Sequence, residues 1–190
     1  KTAHRNLPYN RNQLKLVLEH LQKHHPELYL CSIMMYGCFL RPHMEIRLLK
    51  RSSFDESFSK IILGGKDNKS RRMRTVHMPN YVREELLRCK VDSLNEGVNI
   101  FSKVVTPYNE CYFNTAWSRI KDELLKQGII SKDHTLYSFR HTAAVNMYTK
   151  TKDPYKIQQA FGHSSLNVTL TYLRNLGMVS NASIDDLPEL

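Results

Sequence analysis

Three helix-length segments follow one another late in the sequence, and each begins at a residue that commonly starts a helix. The segments are SFRHTAAVNMYTK (138–150), DPYKIQQAFG (153–162) and SSLNVTLTYLRNLG (164–177). Serine, or aspartate before proline, suits the first turn of a helix, and glycine after the last turn adopts the left-handed backbone that ends one. Residues 138–177 are therefore predicted to form three short helices joined by tight turns.

The rest of the chain continues the helical pattern and interrupts it once. Apolar spacing and start signals predict further helices over residues 10–25, 26–39, 42–50, 81–90 and 113–128. SKIILGG (59–65) and RMRTVHMP (72–79) are typical of two strands joined by a basic, glycine-started turn. The sequence thus predicts a mostly α fold with one small β-hairpin or sheet, an α+β protein of roughly eight helices.

The charge of the chain indicates its class of partner. Lysine and arginine number 28 against 18 acidic residues, which gives a formal net charge of +10 and a pI near 9.5. Three of the acids follow residue 177, where no lysine or arginine occurs, so the preceding part carries 28 basic and 15 acidic side chains, a net charge of +13. This positive charge favours a polyanionic partner. Nucleic acid is favoured over a membrane surface because no basic amphipathic helix with an aromatic face is apparent.

Cysteine usage and apolar segments indicate the compartment. Cys31, Cys38, Cys89 and Cys111 show no CxxC spacing, which argues against a zinc site and fits reduced thiols. The longest apolar stretch, residues 28–40, is too short to cross a membrane, and the first ten residues lack the apolar core of a signal peptide. We therefore expect a cytoplasmic protein.

Several polar side chains have ordinary interpretations when each is considered alone. Arg41 could cap a helix or pair with a nearby glutamate, and Lys66 lies in a polar turn where a solvated lysine is common. His163 could cap the following helix, and Tyr172 lies among apolar residues as a core tyrosine would. Arg140 differs, because a cation in the first turn of the largely apolar YSFRHTAAVNMY requires an anion, either a buried carboxylate or a ligand.

The order of these five residues resembles the catalytic domain of the tyrosine recombinases, the phage-integrase type of site-specific DNA recombinase. That family presents an arginine, a lysine on a β-hairpin, a His-x-x-Arg-His box, a Gly-His pair and a nucleophilic tyrosine. In this sequence Arg41 is followed by Lys66 in the predicted hairpin turn. Arg140 stands in RHT, and His163 and Tyr172 stand in GHSSLNVTLTY. The resemblance runs from about residue 10 to residue 177 and implies the tyrosine recombinase catalytic-domain fold.

The resemblance also implies a chemistry that suits these residue types. Tyr172 would attack a DNA phosphate and form a covalent 3′-phosphotyrosine. Arg41 and Arg140, aided by His163, would bind the non-bridging oxygens and stabilise the charge that develops in the transition state. Because the energy of the broken bond is kept in the phosphotyrosine, a 5′-hydroxyl could rejoin the strand without ATP.

The leaving 5′-oxygen needs a proton in this chemistry. By analogy with the family, Lys66 would supply it, with Lys69 as the alternative acid. The resemblance implies no metal ion and no other cofactor.

The sequence departs from the family pattern at two places. Tyr137 stands where the family usually has histidine, three residues before Arg140, and a phenol with a pKa of about 10 is a poor proton acceptor near neutral pH. The early arginine and acid, Arg41 and Glu45, are four residues apart where the family commonly has three. Tyr137 is expected to orient or shuttle a proton less effectively than histidine would, and the alternative is that His141 or His163 acts as the base. His141 follows Arg140 on a different helix face, where it is expected to pack behind the site and support it.

The resemblance predicts a domain organisation and a partner. Residues 1–177 would be the catalytic domain, and residues 178–190 a C-terminal tail that docks in cis or on a neighbouring protomer. The family's N-terminal core-binding domain has no counterpart in this sequence. Double-stranded DNA is the expected partner, with assembly of a tetramer on DNA, action on a mobile genetic element and location with the nucleoid. A catalytically weakened DNA-binding module and a type IB topoisomerase-like enzyme are the alternatives.

Overall fold

The structure is a computed structural model in which residues 6–64 and 73–179 are described. The α-helices of these residues are α1 (Arg11–His24), α2 (Pro26–Gly37), α3 (Asn80–Arg88), α4 (Tyr112–Lys126), α5 (Ser138–Thr151), α6 (Pro154–Phe161) and α7 (Leu166–Asn175). The strands are β1 (Lys60–Leu63) and β2 (Arg74–His77), which pair antiparallel. The predicted mostly α fold with one small hairpin is confirmed.

Side chains at the helix ends explain where several helices start and stop. The side chain of Asn10 accepts a hydrogen bond from the backbone N–H of Gln13, and the side chain of Gln13 accepts one from Asn10. This reciprocal capping satisfies two donors that α1 would otherwise leave open. The side chain of Asp153 caps α6 by accepting hydrogen bonds from the backbone N–H groups of Tyr155 and Lys156, and Gly162 ends that helix at a φ of +63°.

The short helix predicted over residues 42–50 is wrong. The chain there makes a turn followed by a single 3-10 turn at Ile46–Leu48. The backbone N–H groups of Glu45 and Ile46 both donate to the carbonyl oxygen of Arg41, and the Glu45 carboxylate accepts from the Arg41 N–H at 2.7 Å. A buried side chain that accepts from a backbone N–H four residues earlier in this way stabilises a turn in competition with a helix.

The hairpin shows the alternation expected of a half-buried sheet. Ile61 and Leu63 on β1, and Val76 on β2, are buried, while the residues between them face outward or are half-buried. The register places Leu63 opposite Arg74 at the end of the two strands. The connection at 65–72, and with it the predicted Lys66 and Lys69, lies outside the described residues.

The chain divides after Ala143 into two compact units. The first has an aromatic core in which Trp117 of α4 packs edge-on to Phe139 at 6.0 Å between ring centroids. The second packs α6 against α7 through the buried side chains of Phe161 and Leu173. None of the helices in the described part of the chain is both long and apolar enough to cross a membrane.

Candidate active site

The carboxylate of Glu45 organises the first group of predicted site residues. Its side chain is 1% exposed, and Oε1 accepts a hydrogen bond from Nη1 of Arg41 at 3.0 Å. Its other oxygen, Oε2, accepts from Nη2 of Arg74 at 3.4 Å. The four-residue spacing between Arg41 and Glu45 therefore permits a partly buried ion pair, because the turn that replaces the predicted helix brings the two side chains together.

Tyr137 lies just before α5 begins, and not within the helix as its spacing from Arg140 suggested. Burial raises the pKa of its phenol, Arg140 and then Arg41 lower it, and Glu45 raises it. These influences mean that the phenol lies within electrostatic range of all three charged groups. With the net shift upward, Tyr137 is protonated at neutral pH and can donate a hydrogen bond.

Arg140 and His141 occupy the first turn of α5 and are both largely enclosed. Arg140 is 4% exposed. Burial, together with the positive charge of Arg140, lowers the pKa of His141 to about 4. His141 is therefore a neutral imidazole at physiological pH and adds no charge to this region.

A groove of about 600 Å³ opens beside Tyr137. Its lining includes the side chains of Lys121 and Lys132, the amide of Asn114, and His43. The rings of His43 and Tyr137 lie 6.2 Å apart between centroids, and burial lowers the pKa of His43. The lining thus carries two lysines, one carboxylate (Asp133) and several neutral hydrogen-bonding groups next to Tyr137, the tyrosine that borders the arginines.

The second unit holds the other pair of predicted site residues. The ring centroids of His163 and Tyr172 lie 5.6 Å apart at an interplanar angle of 76°. His163 Nδ1 lies 2.9 Å from Oγ1 of the fully buried Thr169, a hydrogen bond that fixes the orientation of the imidazole. Phe161 contacts both rings, with centroids 5.6 Å from His163 and 5.5 Å from Tyr172.

The predicted site residues thus fall into two described groups. The first unit brings together Arg41, Glu45, Tyr137 and Arg140, with His141 adjacent. The second brings His163 to Tyr172. In residues 6–64 and 73–179, no three histidine, cysteine, aspartate or glutamate side chains are grouped to hold a metal ion.

Arg74 belongs to the first group but was not predicted from the sequence. Its side chain is 13% exposed and reaches Glu45 from the first residue of β2. A signal for it exists in the strand pattern, because residues two apart in a strand share a face and Val76 is buried. An arginine on the inward face of a strand requires a buried anion.

A Tyr137→His variant tests the least conventional position of the candidate site. Histidine at 137 would be partly buried near Arg140 and Arg41, and burial and both positive charges lower the pKa of an imidazole, while Glu45 alone among the charged groups raises it. We therefore expect this histidine to be neutral and able to accept a proton at pH 7. Under the chemistry that the resemblance to the tyrosine recombinases implies, we expect the variant to form a covalent DNA adduct at least as fast as the wild type in single-turnover assays. Tyr137→Phe is the control that removes only the hydroxyl, and a large loss in Tyr137→His would show that the phenol has a specific role.

Comparison with known proteins identifies the family. The sequence model of the phage integrase family matches residues 9–177. This chain belongs to the phage integrase family. Among its relatives, tyrosine recombinase XerH of Campylobacter jejuni is 31% identical over 107 residues, which cover 55% of this integrase-family chain and 29% of XerH.

Solved structures agree with the family assignment at the level of the fold. The Tn1549 transposon integrase in complex with circular intermediate DNA superposes with a TM-score of 0.71 at 18% identity, over 95% of this chain and 64% of that one. XerA recombinase superposes with a TM-score of 0.66 at 24% identity, over 95% of this chain and 61% of that one. For the catalytic domain of bacteriophage HP1 integrase the TM-score is 0.58 at 20% identity, over 90% and 88% of the two chains. The predicted tyrosine recombinase catalytic-domain fold is confirmed.

Proposed function

We propose that this chain is the DNA-breaking and rejoining part of a site-specific tyrosine recombinase. The observation that carries the proposal is the pair of catalytic-type clusters within one phage integrase match: Arg41, Tyr137 and Arg140 in one, His163 and Tyr172 in the other. Together the two clusters contain the residue types that phosphoryl transfer through a tyrosine needs, namely two arginines, a histidine and the tyrosine. The resemblance to the family implies the role of each residue in this chemistry.

In the proposed reaction the Tyr172 oxygen forms a bond to a DNA phosphorus as the bond from phosphorus to the 5′-oxygen breaks. The phenol proton of Tyr172 passes to an imidazole, that of His141 or that of His163. Arg41 and Arg140 bind the non-bridging oxygens, and His163 adds a hydrogen bond. The departing 5′-oxygen receives a proton from Lys66, with Lys69 as the alternative acid. Attack by a 5′-hydroxyl on the phosphotyrosine reverses these steps and rejoins the strand, so no external energy source is needed.

Double-stranded DNA is the proposed substrate. The net charge of +13 over the first 177 residues favours it, as does the groove that carries Lys121 and Lys132 beside Tyr137. A DNA strand along this groove would pass the tyrosine that borders Arg41 and Arg140.

Removing the two groove lysines should weaken DNA binding in a salt-dependent manner. Each phosphate-binding cation that is removed lowers the slope of log affinity against log salt by about 0.9, so Lys121→Ala with Lys132→Ala should lower it by about 2. The matched control is Lys23→Ala with Lys126→Ala, which removes two exposed lysines outside the groove lining. Fluorescence anisotropy at several salt concentrations measures both. Equal slopes of log affinity against log salt for the two double variants would show that DNA does not bind along the groove.

The proposed function can be tested by covalent capture. The protein is incubated at low salt with a pool of nicked duplexes of randomised sequence, in which the cleaved end diffuses away and traps the intermediate. We expect DNA adducts that survive denaturation, with the DNA attached to the tryptic peptide that contains Tyr172. The captured sequences would also report the target site.

The outcome of this capture separates the proposed recombinase from its alternatives. DNA binding without any adduct would identify a DNA-binding module of the same fold. Adducts accompanied by relaxation of supercoils, with no exchange of strands between two duplexes, would favour a type IB topoisomerase-like activity.

We further propose that the protein assembles as a tetramer on DNA and acts on a mobile element in the nucleoid. The family membership and the basic charge support this. Residues 178–190, of which all but the first two lie outside the described part, would dock in cis or on a neighbouring protomer. Cross-linking on captured site DNA, with and without this tail, tests the assembly. Unchanged assembly and cleavage after its deletion would contradict a role for the tail.

A further inference from the structure

One carboxylate lies between two guanidinium groups in the first unit. Glu45, 1% exposed, accepts from Arg41 at 3.0 Å and from Arg74 at 3.4 Å. The Arg41 side chain is 20% exposed and that of Arg74 is 13% exposed, so Arg41 is the more accessible of the two. Arg74 is the one that reaches Glu45 from a distant part of the chain, since 29 residues separate them.

The charge balance of this cluster depends on Arg74. Arg41 and Glu45 alone would form a neutral pair, in which the carboxylate competes with any incoming anion for the guanidinium. With Arg74 sharing the same carboxylate, the three groups carry a net charge of +1 and Glu45 is divided between two partners. Burial lowers the pKa of Arg74, and so does Arg41, while Glu45 raises it, which agrees with two cations held close together around one anion.

The strand also fixes where Arg74 stands. It is the first residue of β2, and the register sets it opposite the buried Leu63 at the end of the hairpin. The hydrogen bond to Glu45 therefore attaches the end of the sheet to the turn that bears Arg41.

We infer that Arg74 is a positioning residue of the DNA cleavage reaction, acting on the scissile phosphate through Glu45 and Arg41. It draws part of the Glu45 charge away from Arg41 and leaves the Arg41 guanidinium electropositive toward the phosphate. This inference rests on the proposed function, and it assigns no contact between Arg74 and DNA.

Two substitutions separate the charge of Arg74 from its packing. Arg74→Gln keeps a hydrogen-bond donor for Glu45 and removes the charge, whereas Arg74→Lys keeps the charge and removes the planar fork. Arg47→Gln is the matched control. Arg47 is likewise a largely enclosed arginine, but its guanidinium donates to the backbone carbonyl oxygens of His43 and Tyr108 and lies 3.9 Å from the exposed carboxylate of Glu110, not on Glu45.

The measurement is the single-turnover rate of adduct formation on captured site DNA, with either a normal phosphate or a methylphosphonate at the scissile position. The methylphosphonate lacks one anionic oxygen, so it needs less positive charge around it. For Arg74→Gln we expect a loss of about tenfold or more on the phosphate, within the range for a single electrostatic contact, and a loss of less than about threefold on the methylphosphonate. Arg74→Lys should recover most of the rate on the phosphate.

A second cycle tests the route through Glu45. In a Glu45→Gln background Arg41 no longer has a competing anion, so Arg74→Gln should cost much less than it does in the wild type, and the two losses should not multiply. Thermal unfolding of every variant separates slow chemistry from loss of fold. If Arg47→Gln lowers the rate of adduct formation at all, it should lower the rate on the phosphate and on the methylphosphonate by the same factor.

The outcomes distinguish this inference from the proposed function. If the wild type forms no adduct, the proposed function fails and the inference fails with it. If the wild type forms adducts and Arg74→Gln is as fast, the inference alone is wrong. Equal losses of rate on phosphate and on methylphosphonate, as expected for Arg47→Gln, would show that Arg74 only stabilises the fold and would overturn the positioning role. If Arg74→Gln is too unstable to assay, the same comparison is made with Arg74→Lys, and equal losses there overturn the role as well.

Discussion

Tyr172→Phe should abolish the covalent DNA adduct. The substitution removes only the oxygen that would bond to phosphorus, and it leaves an aromatic ring to pack against Phe161 and His163. No other group in the proposed mechanism can replace that nucleophile. On a denaturing gel the adduct band should fall to background, while the affinity for nicked DNA should change by less than about twofold because the phenol oxygen is not among the phosphate-binding cations.

Tyr155→Phe is the matched control for this result. Tyr155 is an exposed tyrosine on α6, in the same unit as Tyr172, and its removal should leave the adduct yield unchanged. A normal adduct from Tyr172→Phe would refute Tyr172 as the nucleophile. Loss of the adduct in both variants would point to damage of the second unit.

Arg140→Ala should produce the second large effect. Arg140 would stabilise charge on the phosphate that exists only in the transition state, and removal of one such group typically costs about 10²–10³-fold in rate. Its enclosure, at 4% exposed, strengthens the interaction because little water screens it. We expect single-turnover adduct formation to slow by at least that factor.

Arg140→Lys and an unfolding measurement control for this variant. Lysine keeps the charge but cannot bind two oxygens through a planar fork, so its rate should lie between those of the wild type and the alanine variant. Thermal unfolding reports whether removal of a buried side chain in the first turn of α5 harms the fold. A rate loss below about tenfold in a folded Arg140→Ala protein would contradict the role assigned to Arg140.

Local signals in the sequence are sufficient for most of the secondary structure. The Asn10 cap, the Asp153 cap and the stop at Gly162 act through hydrogen bonds and backbone conformations within a few residues. Such interactions do not depend on distant parts of the chain. The helix predicted at 42–50 is wrong because the deciding interaction there involves a buried carboxylate, and burial is set by the rest of the fold.

The candidate site is predictable as a set of residue types in order, but not as an arrangement. Arg41, Arg140, His163 and Tyr172 are candidates because two guanidiniums, an imidazole and a phenol suit phosphoryl transfer. Whether Glu45 binds Arg41 directly stays open in the sequence, since a spacing of four residues has different consequences in a helix and in the observed turn. Helical spacing predicts that Tyr137 lies near Arg140 on one helix face. In the structure Tyr137 lies just before the helix begins and is still within electrostatic range of Arg140.

The sequence by itself determined seven of the eight predicted helices, the hairpin, the basic charge and the order of the proposed catalytic residues. Caps and periodicity are properties of neighbouring residues, and charge follows from composition. Only the tertiary structure decided that Arg74 shares the carboxylate of Glu45 with Arg41, and that the charge of Arg41 acts together with that of Arg140 to lower the pKa of the Tyr137 phenol. Arg74 and Glu45 are far apart in the chain, and so are Arg41 and Tyr137. The strength of these interactions comes from the removal of water around them, which no local pattern records.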